Sequence, residues 1–293
     1  PTVGGWQADT LCEDLDLSYR AQLVGWEPLY LNARTAPAEI PPTLTAFKRQ
    51  QFRWAKGSVQ TLRKLGGRVW RSDEPMVKRA FGIFHLGNYL LHPLLLTLLF
   101  VALPLMLLGS DPAAPLALFS LATVGPPLLY AIAQRRLYPQ HWLRYYLYLP
   151  LLMLLGTGIA LSNARAVWQG LRTQGGAFLR TPKFHVTDGA ATWHGSTYRL
   201  QINPVLFAEA FLAIFALATA AISVANGNYW TVAFMLIYAA GFGLVAGYGV
   251  WQEWAARRAL RGPETVQSRR PDGAATHAEP SADLWVSGVA SER

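Results

Sequence analysis

The chain has 293 residues, with 26 Lys and Arg against 17 Asp and Glu for a net charge of +9, and only 15% of its residues are charged, where a soluble domain carries about 25%. The deficit is local: between Phe81 and Gln134 the only Asp, Glu, Lys or Arg is Asp111, and between Leu200 and Gln252 it is Glu209. Such runs exceed the roughly 20 residues needed to cross a hydrocarbon layer, which excludes a purely soluble fold, and the single cysteine, Cys12, excludes an internal disulfide framework.

With Pro1 first and no charged leader or cleavage signal, the sequence is expected to be the C-terminal portion of something longer. Residues 1–80, with mixed polarity, read as water-facing. Within them, EDLDLSYRAQLVG (13–25) predicts a helix with acidic residues in its first turn and Gly25 at the C′ position. WEPLYL (26–31) is a strand candidate, and the Pro-rich stretch 35–42 is a loop. A second helix is expected from about Thr43 to Leu65, with Gly66 and Gly67 as its stop. The basic piece after it is expected to lie at a membrane surface, anchored by Trp70, Lys78 and Arg79.

Five apolar segments follow, at roughly 84–109, 116–134, 145–162, 204–225 and 229–252. The linkers 110–115 and 226–228 lack Lys and Arg and are expected outside. Arg135, Arg136 and Arg144, the polar insert 165–199 and Arg257, Arg258 and Arg261 are expected inside. Segment 145–162 would then begin and end on one face. Because it carries Pro150, Gly156 and Gly158, it is expected to be re-entrant or interfacial, leaving four spans.

Three short motifs carry chemistry. Glu13 and Asp14, after Cys12, put carboxylates at a helix start, where backbone N–H groups hold a proton acceptor with little reorganisation. Gln50, Arg53 and Trp54 stand at i, i+3 and i+4 and share a helical face. An amide, a guanidinium for phosphate oxygens and an indole platform suit a sugar–phosphate ligand. FLRTPK (178–183), in the polar insert, offers the Thr181 hydroxyl and the Lys183 ammonium to a diphosphate. Taken singly, each also fits a plainer reading: an acidic cap, an amphipathic helix and a positive-inside loop.

In this order and spacing the motifs resemble the processive family 2 glycosyltransferases, the cellulose-synthase-like membrane enzymes. The stretch from GGW through EDLDLSYRAQLVGW to PPTLTAFKRQQFRWAKG looks like the last third of that family's GT-A catalytic domain. The resemblance places Asp14 on the catalytic base of the TED motif, with Cys12 in place of the usual Thr, and Glu13 beside it as substrate-binding. Gln50, Arg53 and Trp54 fall on QxxRW, which implies holding the donor diphosphate and the acceptor sugar. FLRTPK matches the gating-loop pattern FxVTxK except for Arg180, which makes Thr181 and Lys183 candidate nucleotide contacts.

The implied fold class is mixed: the C-terminal piece of an α/β GT-A domain (1–67), an interfacial basic linker (68–83), membrane segments (84–164), a cytosolic gating-loop insert (165–199), further membrane segments (200–256) and a disordered tail (257–293). The implied reaction is inverting transfer from a nucleotide-sugar donor to a growing polysaccharide, coupled to its export, at a bacterial inner membrane. Expected partners are the donor, a glycan acceptor, the lipid bilayer and export subunits, with no nucleic acid. A divalent cation, Mg or Mn, is expected for the full-length enzyme, but its upstream Asp motifs have no counterpart here, Asp14-Leu15-Asp16 is not assigned to metal, and the chain alone is expected to be inactive. Aromatic residues of the membrane segments (Tyr89, Tyr130, Trp168, Tyr248, Trp251) line a polymer path or serve as interfacial belts. The competing classes are a single-addition lipid-carrier transferase and a non-enzymatic transport or scaffold subunit, for which Glu209, with His85 and His92, would be the ionisable candidates.

Overall fold

The computed structural model describes residues 2–31, 34, 36, 38, 40–41, 43–108, 124–176 and 204–260. Among them every regular element is helical and no strand occurs. The expected strand at 26–31 is irregular and solvent-exposed. A strand needs a neighbour's N–H and C=O groups to pair with, and no described segment offers that edge.

Helix α1 (Glu13–Gln22) opens with Glu13, Asp14 and Asp16 in its first turn. It closes as its sequence predicts. Gly25 adopts φ 89°, the Gly25 amide donates to Gln22 O and the Trp26 amide to Ala21 O, satisfying two terminal carbonyls in a Schellman arrangement. Helix α2 (Leu44–Trp70) is capped by Thr43, whose side chain accepts from the Ala46 amide. It does not stop at Gly66 and Gly67 as expected. Gly66 is buried against Leu62 and Ile83, so here the missing side chain serves close packing and the helix runs one more turn.

The stretch 68–83 is shared between the end of α2, a turn and the start of α3 (Met76–Gly87). A 3-10 turn (Asn88–Leu90) joins α3 to α4 (Leu91–Leu107), and together Met76–Leu107 form one apolar unit long enough to span a bilayer. Next come α5 (Gly125–Leu137), α6 (Trp142–Tyr146), α7 (Leu149–Gly158) and α8 (Ala160–Arg172). The chain then continues as α9 (Val205–Ala225) and α10 (Tyr229–Leu260). Helix α10 extends past residue 257, where a disordered tail was expected to begin; residues 261–293 lie outside the described residues.

Three described helical units are long and apolar enough to cross a membrane: Met76–Leu107, Val205–Ala225 and Tyr229–Ala255. A fourth is the pair Trp142–Gly158 and Ala160–Arg172, if counted as one span broken by a 51° bend. That bend falls in the segment expected to be re-entrant or interfacial. Its tip is set by two glycines: a Cβ at Gly158 would lie 2.9 Å from the Gly241 carbonyl carbon, an approach only hydrogen permits.

Helices α9 and α10 pack along their length through small residues, Ala213, Ala216 and Ala220 meeting Met235, Tyr238, Ala239 and Phe242. Without a hydrophobic drive inside lipid, close backbone approach supplies the attraction. Leu99 of α4 and Ala160 of α8 complete this core, and Tyr238 donates to Leu95 O at 2.9 Å. Against it lies α2, packed on α8, where Gly170 faces Lys56 O and the Val59 side chain.

Candidate active site

The site is built where α1 begins and α2 crosses it. At about 100° per residue, Gln50, Arg53, Trp54 and Gly57 fall within an arc of about 100° on α2. Gly57 is where α1 touches: a Cβ there would lie 2.7 Å from the Cys12 amide nitrogen and 2.9 Å from Cys12 Cβ, with Cys12 Sγ nearer still. Cys12 Sγ points to Trp54 O at 3.7 Å. The residue immediately before Glu13 therefore rests on the turn of α2 that carries Arg53 and Trp54.

Electrostatics give the same placement. Burial pushes the Cys12 thiol up to about 12; Asp14 and, less strongly, Glu13 push the same way, and the Arg53 guanidinium opposes them. All three charged groups thus lie within electrostatic reach of one sulfur atom. Asp14 is solvent-exposed, with Oδ1 accepting from the Leu15 amide at 2.8 Å, and Glu13 is half-buried. The Trp54 indole is 41% exposed, open for stacking. Gln50 and Arg53 are half-buried on the same face. Tyr89, in the turn between α3 and α4, also reaches Cys12 electrostatically.

A charged scaffold holds α1 in place. Asp16 is fully buried and pairs with Arg20 Nε at 2.7 Å and Lys64 Nζ at 2.9 Å. Arg20 also donates to Val3 O and Gly5 O, and Lys64 to Gln7 Oε1 and Asp9 Oδ1, fixing the GGW loop on α2. The two Asp residues of Asp14-Leu15-Asp16 are therefore different in kind, one open to solvent and one locked in ion pairs. Among the described residues no group of three or more His, Cys, Asp or Glu is placed to hold a metal ion.

Gln60 joins three segments. Its Oε1 accepts from the Leu11 amide at 3.0 Å, and its Nε2 donates to Thr173 O and Gly175 O at 3.1 and 2.9 Å. The Gly175 amide donates to Asp9 O at 2.7 Å, so the stretch of the polar insert that follows α8 is tied beside the start of α1. Thr181 and Lys183 lie outside the described residues.

The structure also places groups that sequence reasoning missed. Arg20, Lys64 and Gln60 carry no motif, since each acts by closing a contact between distant segments. Lys48 pairs with Glu209 across 161 positions. His92 stands within 2.9 Å of the Asn163 amide and stacks on Tyr89, a junction that no local pattern announces.

A family model described as "Glycosyl transferase family group 2" matches residues 1–161. The chain is 29% identical over 206 residues to glucomannan 4-beta-mannosyltransferase 7 of Arabidopsis thaliana, covering 69% of this chain and 34% of that relative. It is 32% identical over 118 residues to glucomannan 4-beta-mannosyltransferase 2 of Arabidopsis thaliana, covering 39% and 22%. Over 63 residues it is 44% identical to probable glucomannan 4-beta-mannosyltransferase 7 of Oryza sativa subsp. japonica, covering 22% and 11%. The chain spans about a third or less of the length of these relatives. No solved structure matches.

Proposed function

Because the chain belongs to glycosyl transferase family group 2, we propose that it is the acceptor-side part of an inverting, processive membrane glycosyltransferase. Its membrane helices would receive the growing glycan for export, and its α1–α2 corner would complete a GT-A catalytic domain. The relatives' names favour a mannosyl donor and the 4-hydroxyl of a β-linked glycan as acceptor. The observation that supports this reading is the Cys12–Gly57 contact, which rests the start of α1, two residues before the exposed Asp14, on the turn of α2 that carries Arg53 and Trp54.

In this mechanism Trp54 stacks under the terminal acceptor sugar and Asp14 accepts the proton of its attacking hydroxyl. The hydroxyl oxygen forms a bond to the donor's anomeric carbon while the bond from that carbon to the diphosphate oxygen breaks. The nucleoside diphosphate leaves with the electron pair. Negative charge grows on it, and a guanidinium aimed there stabilises the transition state more than the ground state; Arg53 takes that role. Gln50 and Glu13 bind donor or acceptor groups at the same mouth. A divalent cation would belong to the full-length enzyme, and the described residues do not supply its ligands.

The clamping of the stretch that follows α8 beside Leu11 supports a gating role for Thr181 and Lys183. The test is incubation of the full-length protein, in vesicles, with nucleoside-diphosphate mannose or nucleoside-diphosphate glucose and a β-linked oligosaccharide. Extension by mannose at the 4-position is the expected result; absence of any sugar transfer overturns the reading.

A further inference from the structure

The N-terminal end of α2 is gripped from two sides. Lys48 Nζ lies 2.5 and 2.7 Å from the two carboxylate oxygens of Glu209. The Glu209 side chain is fully buried near the start of α9, and that of Lys48 is 15% exposed. One turn earlier the Leu44 amide donates to Gln252 Oε1 at 2.9 Å, and Gln252 is buried on α10. Both long apolar helices thus hold the first two turns of α2. A carboxylate in an apolar span stays charged only with a close partner, and here both of its oxygens are engaged.

Helical register shows what the grip controls. Lys48, Ala55 and Val59 fall within an arc of about 40°, and the latter two are fully buried. Gln50, Arg53, Trp54 and Gly57 occupy the opposite side of the helix. Trp54 is six residues from Lys48, roughly 9 Å along the axis. A helix pinned by its back at Lys48 presents its other face at a fixed angle and height.

We propose that Lys48 and Glu209 are positioning residues, an ion-pair latch that sets the rotation and depth of α2 against α9 and so places Arg53 and Trp54 over the mouth of the membrane helices. The inference rests on the reading of α2 as the substrate-holding helix. Opening the latch should misplace the diphosphate-facing guanidinium and the acceptor platform together, lowering kcat more than it weakens donor binding.

The test uses the full-length enzyme in vesicles. K48C/E209C is assayed open and after closure with a short, reductant-cleavable bis-methanethiosulfonate linker, beside E209Q and K48M. The expected result is kcat lowered at least about tenfold in the open forms, donor KM raised by a smaller factor than kcat falls, and recovery of most of the kcat on closure, reversed by reductant. Open and closed forms are one polypeptide, so poor accumulation of a single variant does not decide the outcome. In parallel, maleimide labelling of Cys12, which α2 covers at Gly57, should rise in E209Q. Unchanged kcat in the open form, or closure without recovery, overturns the latch, and so does unchanged Cys12 labelling. A wild type that transfers no sugar while E209Q still unmasks Cys12 leaves the latch standing and removes the functional reading instead.

Discussion

Gly57 is the point at which one methyl group separates packing from catalysis. In Gly57→Ala the new Cβ would sit 2.7 Å from the Cys12 amide nitrogen and 2.9 Å from its Cβ, against an ordinary contact of about 3.5–4.0 Å. All three crowded atoms belong to Cys12, and two of them, its amide nitrogen and Cβ, move only with the backbone, so the start of α1 must retreat by about 1 Å. Overpacking of this kind costs about 1–3 kcal/mol, offset by up to about 1 kcal/mol from alanine's better helix propensity. Stability should therefore fall by about 0–3 kcal/mol, and transfer, which in the proposed mechanism needs Asp14 held near Trp54, by about a hundredfold. Gly67→Ala is the matched control, because its nearest contact is Arg71 Nη1 at 3.8 Å; it should be neutral or slightly stabilising and fully active. Sugar incorporation and thermal unfolding of the two full-length variants decide it. Equal activity and equal unfolding temperature for G57A and G67A would refute the reasoning.

Further expectations concern single groups. Asp16→Asn removes one partner of a buried ion-pair network and should cost about 3–5 kcal/mol, seen as a lowered unfolding temperature, whereas Asp14→Asn at an exposed position should shift it little. Trp54→Ala should weaken acceptor use by about 0.5–1.5 kcal/mol of stacking, measured as a raised acceptor KM with donor KM unchanged. Burial and then Asp14 raise the Cys12 thiol from 9.0 to about 12, so the fold favours the protonated form. Its contribution to stability is complete below pH about 9 and is lost as pH climbs toward about 12. Native Cys12 should therefore resist iodoacetamide at pH 9 and react rapidly once unfolded; equal rates in both states would contradict the assigned environment.

Local signals in the sequence located the first helices well. Gly25 and the acidic first turn marked α1, and Thr43 marked the start of α2, because caps and stops act through neighbouring residues. The i, i+3, i+4 spacing put Gln50, Arg53 and Trp54 on one face, as the helix presents them. Long-range contacts were not legible. Gly66 and Gly67 read as a stop, yet packing against Ile83 carries α2 onward to Trp70. WEPLYL has a strand's composition but no partner edge among the described residues. Glu209 stood out as the lone charge in its span, while Lys48 looked like one more basic residue of an amphipathic helix. The bend between α7 and α8 was foreshadowed by Pro150, Gly156 and Gly158, although only the fold shows Gly158 meeting Gly241.

A single assay bears most directly on the whole account: mannose or glucose transfer by full-length enzyme carrying Asp14→Asn, with donor binding followed in the same preparation. Loss of transfer by about a thousandfold or more, with donor affinity and unfolding temperature preserved, is the predicted outcome. Transfer at a near wild-type rate would show that the proton leaves by another route and that the α1–α2 corner is not where the sugar bond forms.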